Sequence, residues 1–314
     1  WPPLVVPILI QLPVALFLGL LLSYQSVKRQ REKIRAALGY YLPERAVQRL
    51  AHEAAGTGGK ELVFGTCLVT DIEHYTALSE SLPPEALGRL MDEYYRCLLD
   101  AVSRHGGFVS DLAGDSMVAV WAATRTGGAG ARDACSAARE VQESIDRFNT
   151  ARGRLRLPTR IGLDSGQMLL GNIGSERRGE YRAVGDIVNT AARLQGLSRH
   201  LGTRVLLSGQ TAALLERDDM RFLGDFLLVG KRQPIGVYEP PSAGGQPQSG
   251  LIGMFAAALA EFKEGKWTAA ETRFNDVLRA FPGDGPSAFY AGLCRRFSQS
   301  PPACWEGVVT MTVK

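Results

Sequence analysis

No two cysteines in the 314 residues stand as Cys-x-x-Cys, and no histidines cluster at metal-ligand spacing. Cys67, Cys97, Cys135, Cys294 and Cys304 are scattered and odd in number, which reads as reduced thiols in a reducing compartment rather than a disulfide framework. His52, His74, His105 and His200 lack the grouping that a closed zinc site needs. A large excess of one charge is missing too: the formal net charge is +4, part of it in one short basic stretch, so no nucleic-acid partner is implied. Gly127 to Gly130 is followed by no Gly-Lys-Ser or Gly-Lys-Thr, so this run reads as a small-residue turn and not as a phosphate cradle. Wholesale disorder is excluded by 45% hydrophobic and 22% charged residues.

What is present begins with an apolar run from Leu4 to Leu22, broken in character only by Gln11, Pro7 and Pro13. At helical rise that run is roughly 28 Å long, about the thickness of the bilayer hydrocarbon. Lys28, Arg29, Arg31, Lys33 and Arg35 follow it against the single acid Glu32. A signal peptide would carry its charges in front and a cleavage site behind. The pattern therefore predicts a transmembrane helix over 1–24 in the inner cell membrane, with the polypeptide beyond it in the cytoplasm. Residues 25–58 read as a juxtamembrane, signal-transducing helical segment, with Val27, Ile34, Leu38 and Tyr41 near heptad spacing and Pro43 interrupting.

From Leu62 the pattern changes to short β-type runs alternating with longer helical ones. Strands are predicted at Leu62 to Thr70, Phe108 to Leu112, Ser116 to Trp121, Pro158 to Leu163, Gln167 to Ile173 and Arg204 to Leu207. An antiparallel pair follows within Arg221 to Tyr238. Helices are predicted at Pro84 to His105, Ala131 to Thr150 and Ile187 to His200. The order strand, helix, strand, strand, helix, strand predicts an α+β fold of ferredoxin-like kind, a βαββαβ core over residues 59–240. A Pro/Gly/Ser/Gln linker at 241–250 leads to a helical tail over 251–314. In the tail, Gly265, Trp267, Ala270, Phe274 and Pro282 resemble one tetratricopeptide unit. A single repeat cannot bury its own core, so the tail is expected to dock on the preceding domain or on a protein partner.

Two carboxylates open the chemistry. Asp71 ends an apolar strand, where an unpaired charge is costly, and Asp115 follows Gly114 in a tight turn between two apolar strands. If those strands neighbour the first, both carboxylates reach one sheet edge as paired hard oxygen ligands, which magnesium on a triphosphate requires. Each aspartate alone would read as a turn cap.

The surrounding residues decide between those readings. Val69-Thr70-Asp71-Ile72 with Tyr75-Thr76, Gly106-Gly107, Gly114-Asp115-Ser116-Met117, Gly162-Leu163-Asp164-Ser165-Gly166 and Gly171-Asn172-Ile173-Gly174 occur in that order. With Tyr181-Arg182-Ala183-Val184-Gly185-Asp186-Ile187-Val188-Asn189-Thr190-Ala191-Ala192-Arg193, they resemble the catalytic domain of class III adenylate and guanylate cyclases over about residues 60 to 240. The bacterial, membrane-anchored, CHASE-sensor-linked type is the nearest in kind.

That resemblance implies a head-to-tail homodimer converting ATP to cyclic AMP and pyrophosphate. It assigns two Mg²⁺ or Mn²⁺ ions to Asp71, Asp115 and the backbone at Ile72, and phosphate binding to Glu73, His74, Tyr75, Thr76 and Lys231. His74 stands where the family usually has glycine. Asn189 and Arg193, four apart on one helix face, match the family's ribose-orienting asparagine and transition-state arginine. At the family's base-reading positions this chain has Asp111 and Arg182, with the usual charges exchanged; they are expected to pair and read a purine edge with swapped roles. Alternatives are a guanylate cyclase and a catalytically inactive, dimeric signalling domain. The resemblance also implies an upstream extracytoplasmic sensor.

Overall fold

The computed structural model describes residues 60–123, 127–153, 155–175, 178–241 and 249–312. The transmembrane and juxtamembrane expectations for 1–24 and 25–58 lie outside the described residues. Among the described residues no helix is long and apolar enough to cross a membrane. Residues Gly59–Lys314 form one compact unit.

Strand β1 (Glu61–Ile72) lies between β3 (Ser116–Ala123) and β4 (Thr159–Ser175), antiparallel to both. Beyond β3 lies β2 (Phe108–Ala113); beyond β4 lie β6 (Val205–Ser208), β8 (Ile235–Glu239), β7 (Arg221–Leu227) and β9 (Val308–Thr310). Strand β5 (Arg178–Val184) pairs with the distal half of β4. Helices α1 (Tyr75–Ser81), α2 (Pro84–Arg104), α3 (Gly127–Arg152), α4 (Asp186–Leu201) and α5 (Gly209–Leu215) connect them.

The period of two along β4 sorts the helices onto the two faces of the sheet. Ile161 and Leu163 face a core with Leu68 of β1, Tyr94 and Leu98 of α2, and Val141 and Ile145 of α3. Between them, Gly162 faces α4 so closely that a Cβ there would stand 2.1 Å from the carbonyl oxygen of Ala191. Glycine at 162 lets α4 lie directly on the sheet, which fixes how the residues of α4 are presented.

Two expectations are corrected here. Gly127 to Gly130 is the first turn of α3, not a turn between elements; a glycine run signals backbone freedom, and packing of α3 on the sheet settles its use. The strands predicted at Pro158 to Leu163 and Gln167 to Ile173 are one strand, since Ser165 and Gly166 keep pairing with Thr66 and Gly65 of β1. Strand β5 and helix α5 were not signalled by periodicity, both being only seven residues long.

The tail docks on the preceding domain, one of the two outcomes expected of it. Helices α6 (Ser249–Lys263), α7 (Trp267–Ala280) and α8 (Gly285–Gln299) build a second core with α4 and β7. Leu194, Leu197 and Leu201 of α4 and Leu223 and Phe226 of β7 join Phe255, Phe262, Phe274 and Tyr290. The hydroxyl of Tyr290 donates to the carbonyl of Leu223 at 2.6 Å, and β9 adds a parallel strand to β7. Arg221 ties the junction polar-side: its side chain, 6% exposed, pairs with Glu239 and with the equally buried Asp284 of the tail, and stacks over Phe255. Burial pushes the Glu239 carboxyl up, with the Arg221 charge opposing. Arg221→Ala leaves two buried carboxylates without their cation and is expected to cost about 3–5 kcal/mol, read as a fall in the urea midpoint.

Candidate active site

Asp71 occupies the carboxyl end of β1, and Asp115 the turn between β2 and β3, because β3 runs beside β1 with Thr70 opposite Met117. Three contacts fix the turn. Ser116 donates its hydroxyl to the Thr70 carbonyl at 2.9 Å, the Met117 amide donates to the Thr70 hydroxyl at 3.2 Å, and Tyr95 donates to the Gly114 carbonyl. Gly114 has φ +62, a left-handed conformation that suits glycine in so tight a connection. The amide of Ile72 then donates to Asp115 Oδ2 at 3.4 Å. The two carboxylates predicted to share an edge do share it.

Burial and the closeness of the two carboxylates both bear on the Asp71 proton. Burial and the adjacent Asp115 carboxylate push its carboxyl up to about 6, while Arg160 and a 3.4 Å hydrogen bond from Gln195 oppose the rise. Two hard carboxylates held together against their own charge fit a divalent cation. Among the described residues no group of three or more His, Cys, Asp or Glu side chains is assembled. A cation here would therefore take its remaining oxygens from backbone, water and substrate.

Sequence reasoning missed Arg160 and Gln195. Arg160 is the register partner of Asp71 across β1 and β4 and pairs with Glu73; Gln195 reaches Asp71 from α4. Only strand pairing and helix docking bring either to the site, although alternation along β4 places Arg160 on the face opposite the core residue Ile161.

The loop after β1 is held to the sheet at its first residue. The amide of Glu73 donates to the Pro158 carbonyl at 2.8 Å and its carboxylate pairs with Arg160. His74 has φ 60 and ψ 26, in the left-handed region. That explains the expected glycine: the position needs a positive φ, which histidine tolerates better than most side chains. His74→Gly is expected to be neutral or to stabilise by up to about 1 kcal/mol, and His74→Val to destabilise by about 1–2 kcal/mol, in denaturant melts. Tyr75 and Thr76 open α1, where the first N–H groups have no intrahelical acceptor.

Asn189 is exposed and Arg193 half-buried on α4. The Arg193 guanidinium lies against the turn between β7 and β8; a Cβ on Gly230 would stand 3.2 Å from its Nη2. Next in that turn, Lys231 has a side chain only 14% exposed and pairs with Asp186, the first residue of α4. Beneath them Asp164 is buried on β4, with burial pushing its carboxyl up while Ser208 and the charge of Lys231 oppose. Arg193 and Lys231 thus form a cationic corner where the turn after β7 meets α4. Gln195, two residues beyond Arg193, points about 200° around the helix, toward Asp71. Within one chain, the carboxylate pair and the Asn189–Arg193 pair lie on different sides of α4.

Asp111 and Arg182 meet as expected: Arg182 Nη2 donates to Asp111 Oδ1 at 2.8 Å, both side chains being about a third exposed or more (34% and 40%). The pair joins β2 to β5, where the Ala183 amide also donates to the Ser110 hydroxyl at 2.9 Å.

A mixed sheet with helices on both faces, two carboxylates at one strand edge and an Asn/Arg pair on α4 define an α+β domain with a charged sheet edge. This chain belongs to the adenylate and guanylate cyclase catalytic domain family, which matches residues 64–238. It is similar to adenylate cyclase 1 of Rhizobium meliloti, 32% identical over 221 residues that make up 68% of this chain and 33% of that protein. The chain thus spans about a third of the length of the curated relatives it matches. A bacterial light-regulated adenylyl cyclase shares the fold with a TM-score of 0.59 at 21% identity, over 72% of this chain and 67% of that one. The guanylyl cyclase Cya2 superposes with a TM-score of 0.52 at 26% identity, over 60% of this chain and 96% of that one.

Proposed function

We propose that this chain is an adenylate cyclase converting ATP to 3′,5′-cyclic AMP and pyrophosphate at sites shared between two copies of itself. The observation that carries the reading is the convergence of Asp71 and Asp115 at one sheet edge, with the Asp71 carboxyl pushed up by burial and by its neighbour. Two Mg²⁺ or Mn²⁺ ions held there would neutralise triphosphate charge and make the ribose 3′-hydroxyl easier to ionise. The backbone at Ile72 completes the metal edge, and the loop through His74, Tyr75 and Thr76 lies beside the phosphates. Asn189 orients the ribose, and the fork of Arg193 meets the charge that develops on the α-phosphate during in-line displacement. Lys231 holds the triphosphate once it exchanges Asp186 for phosphate oxygens. Asp111 and Arg182 read the purine edge as a pair, the carboxylate accepting and the guanidinium donating.

The opposite placement of Gln195 and Arg193 on α4 supports a second copy supplying Asn189 and Arg193. A guanylate cyclase is the second reading, favoured by the same Asp111–Arg182 pair, because a carboxylate accepts equally from the ring NH and amine of guanine. We further propose that residues 1–24 anchor the chain in the inner membrane, with this domain cytoplasmic and a sensor upstream that acts through 25–58.

The test is product formation by the chain with ATP or GTP and Mg²⁺ or Mn²⁺. Metal-dependent cyclic AMP supports the reading, and cyclic GMP alone replaces the base assignment. No cyclic product from a protein shown to be dimeric overturns it in favour of an inactive signalling domain.

A further inference from the structure

Away from the catalytic residues, a cleft of about 1030 Å³ opens between α3 and the helical tail. One wall is a face of α3 bearing Arg132, Cys135 and Arg139; the opposite wall is the connection between α7 and α8, with Phe281 and Pro282. Gly202 and Thr203, which directly follow α4, lie at its back. Its volume is in the range of small-molecule sites, and its lining is strongly charged, with apolar side chains between the arginines and acids.

The charges in this cleft are unequally committed. Four acids line it, and each is taken. Asp146 receives both arms of Arg204 at 2.7 and 2.9 Å, Asp219 is paired with Arg217, and Glu239 and Asp284 share Arg221. Arg132 and Arg139 also line the cleft, are exposed, and have no carboxylate partner among the described residues. Seven apart on α3, they lie on one helix face two turns from each other with Cys135 between. Behind the cleft wall Gln142 and Thr203 are each 5% exposed, and Gln142 Oε1 and Thr203 Oγ1, both closed off from solvent, have no hydrogen-bond partner among the described residues. Unpaired buried polar atoms are uncommon and costly in a finished fold.

We propose that this cleft is a binding site for a small oxyanion-bearing ligand, a phosphate or carboxylate on a compact apolar body, held by Arg132 and Arg139 against the wall made by the tail. Guanidinium forks match both oxyanions, and the flanking Leu251, Phe281 and prolines suit the apolar body. Because the back of the cleft is the end of α4, an occupant would rest on the helix that carries Asn189 and Arg193. The site goes beyond the cyclase reading and does not depend on it.

The chain is titrated calorimetrically in EDTA, without divalent metal, with inorganic pyrophosphate, 5′-AMP and citrate. Binding of pyrophosphate or 5′-AMP identifies a phosphate ligand, and binding of citrate alone a carboxylate. In either case R132A/R139A is expected to weaken it about a hundredfold, a factor of about ten for each arginine. Any share of the binding that Arg193→Ala removes belongs to the active site, and the share that persists in Arg193→Ala and is lost in R132A/R139A belongs to the cleft. A bound probe should also slow alkylation of Cys135, read by mass spectrometry, without slowing that of the exposed Cys304. The proposal is overturned if no probe binds at about 10 mM, the weak end of specific affinity. It is equally overturned if Arg193→Ala abolishes binding while R132A/R139A retains it.

Discussion

The Asp71→Asn variant is expected to form cyclic nucleotide at least about a thousandfold more slowly than the parent while being more stable in the absence of metal. A divalent cation at a developing alkoxide contributes several kcal/mol, and about 4 kcal/mol corresponds to that factor in rate. The stability gain follows from the same carboxylates. Burial, then the neighbouring Asp115, raise the folded-state Asp71 carboxyl to about 6 from an ordinary value of 3.8. The folded protein therefore holds that proton more tightly than the unfolded chain. The resulting stabilisation is fully present below about pH 4 and is lost as pH rises through about 6. Asp71 is partly exposed, so solvent screening reduces the effect to about 1 kcal/mol. Thermal melts in EDTA between pH 4 and 8 should show a slope for the parent that flattens in Asp71→Asn. Added Mg²⁺ should raise the midpoint of the parent and not of the variant. Equal midpoints at pH 8 together with undiminished activity would remove Asp71 from the metal site.

Mixing two inactive variants should restore activity. Asp71→Asn lacks the carboxylate edge, and Arg193→Ala lacks the cationic corner, with an expected loss of about 10²–10³ in kcat. If each site draws its carboxylates from one copy and Asn189 and Arg193 from the other, a heterodimer of these variants has one intact site. Random exchange in an equimolar mixture then returns about a quarter of the parent rate. A mixture no faster than its components, in a sample shown to exchange subunits, would place the whole site within one chain. The physical basis is the geometry of α4, which turns Gln195 toward the chain's own Asp71 and Arg193 toward the turn at Gly230.

The tail gives these predictions a structural dependency. Leu194, Leu197 and Leu201 anchor α4 in the core that the tail completes, and β7, which leads into Lys231, receives Tyr290 and β9. Disturbing Arg221 should therefore reach Arg193 and Lys231 through the elements that carry them.

The catalytic candidates were legible because their chemistry lies in short local words. Local periodicity and turn chemistry placed Asp71 after an apolar strand, Gly114-Asp115 between two strands, and Asn189 with Arg193 on one helix face; their roles came from the resemblance of the surrounding words to the cyclase family. The α+β order was legible for the same reason, since strand and helix periods differ. Gly166, between two predicted strands, read as a break because glycine announces freedom without saying whether it serves a turn or a close approach. The approach of α4 to β4 answers that. Glu73 looked like its neighbours in the loop until pairing of β1 with β4 set Arg160 beside it. Ser110, Arg160 and Gln195 stand in the sequence with no sign of their partners. Residues far apart along the chain become neighbours only through strand register and helix docking.

By itself, the sequence determined the candidate site residues, the family whose motifs they match, and the presence of His74 where that family has glycine, because those properties reside in side-chain type and short-range order. Only the tertiary structure decided that Asp71 and Asp115 strain against each other, that Arg182 meets Asp111 within one chain, and that the tail shares a core with α4 and leaves an arginine-lined cleft beside it. Charge proximity, burial and packing are long-range quantities, fixed only when the sheet closes and the helices dock.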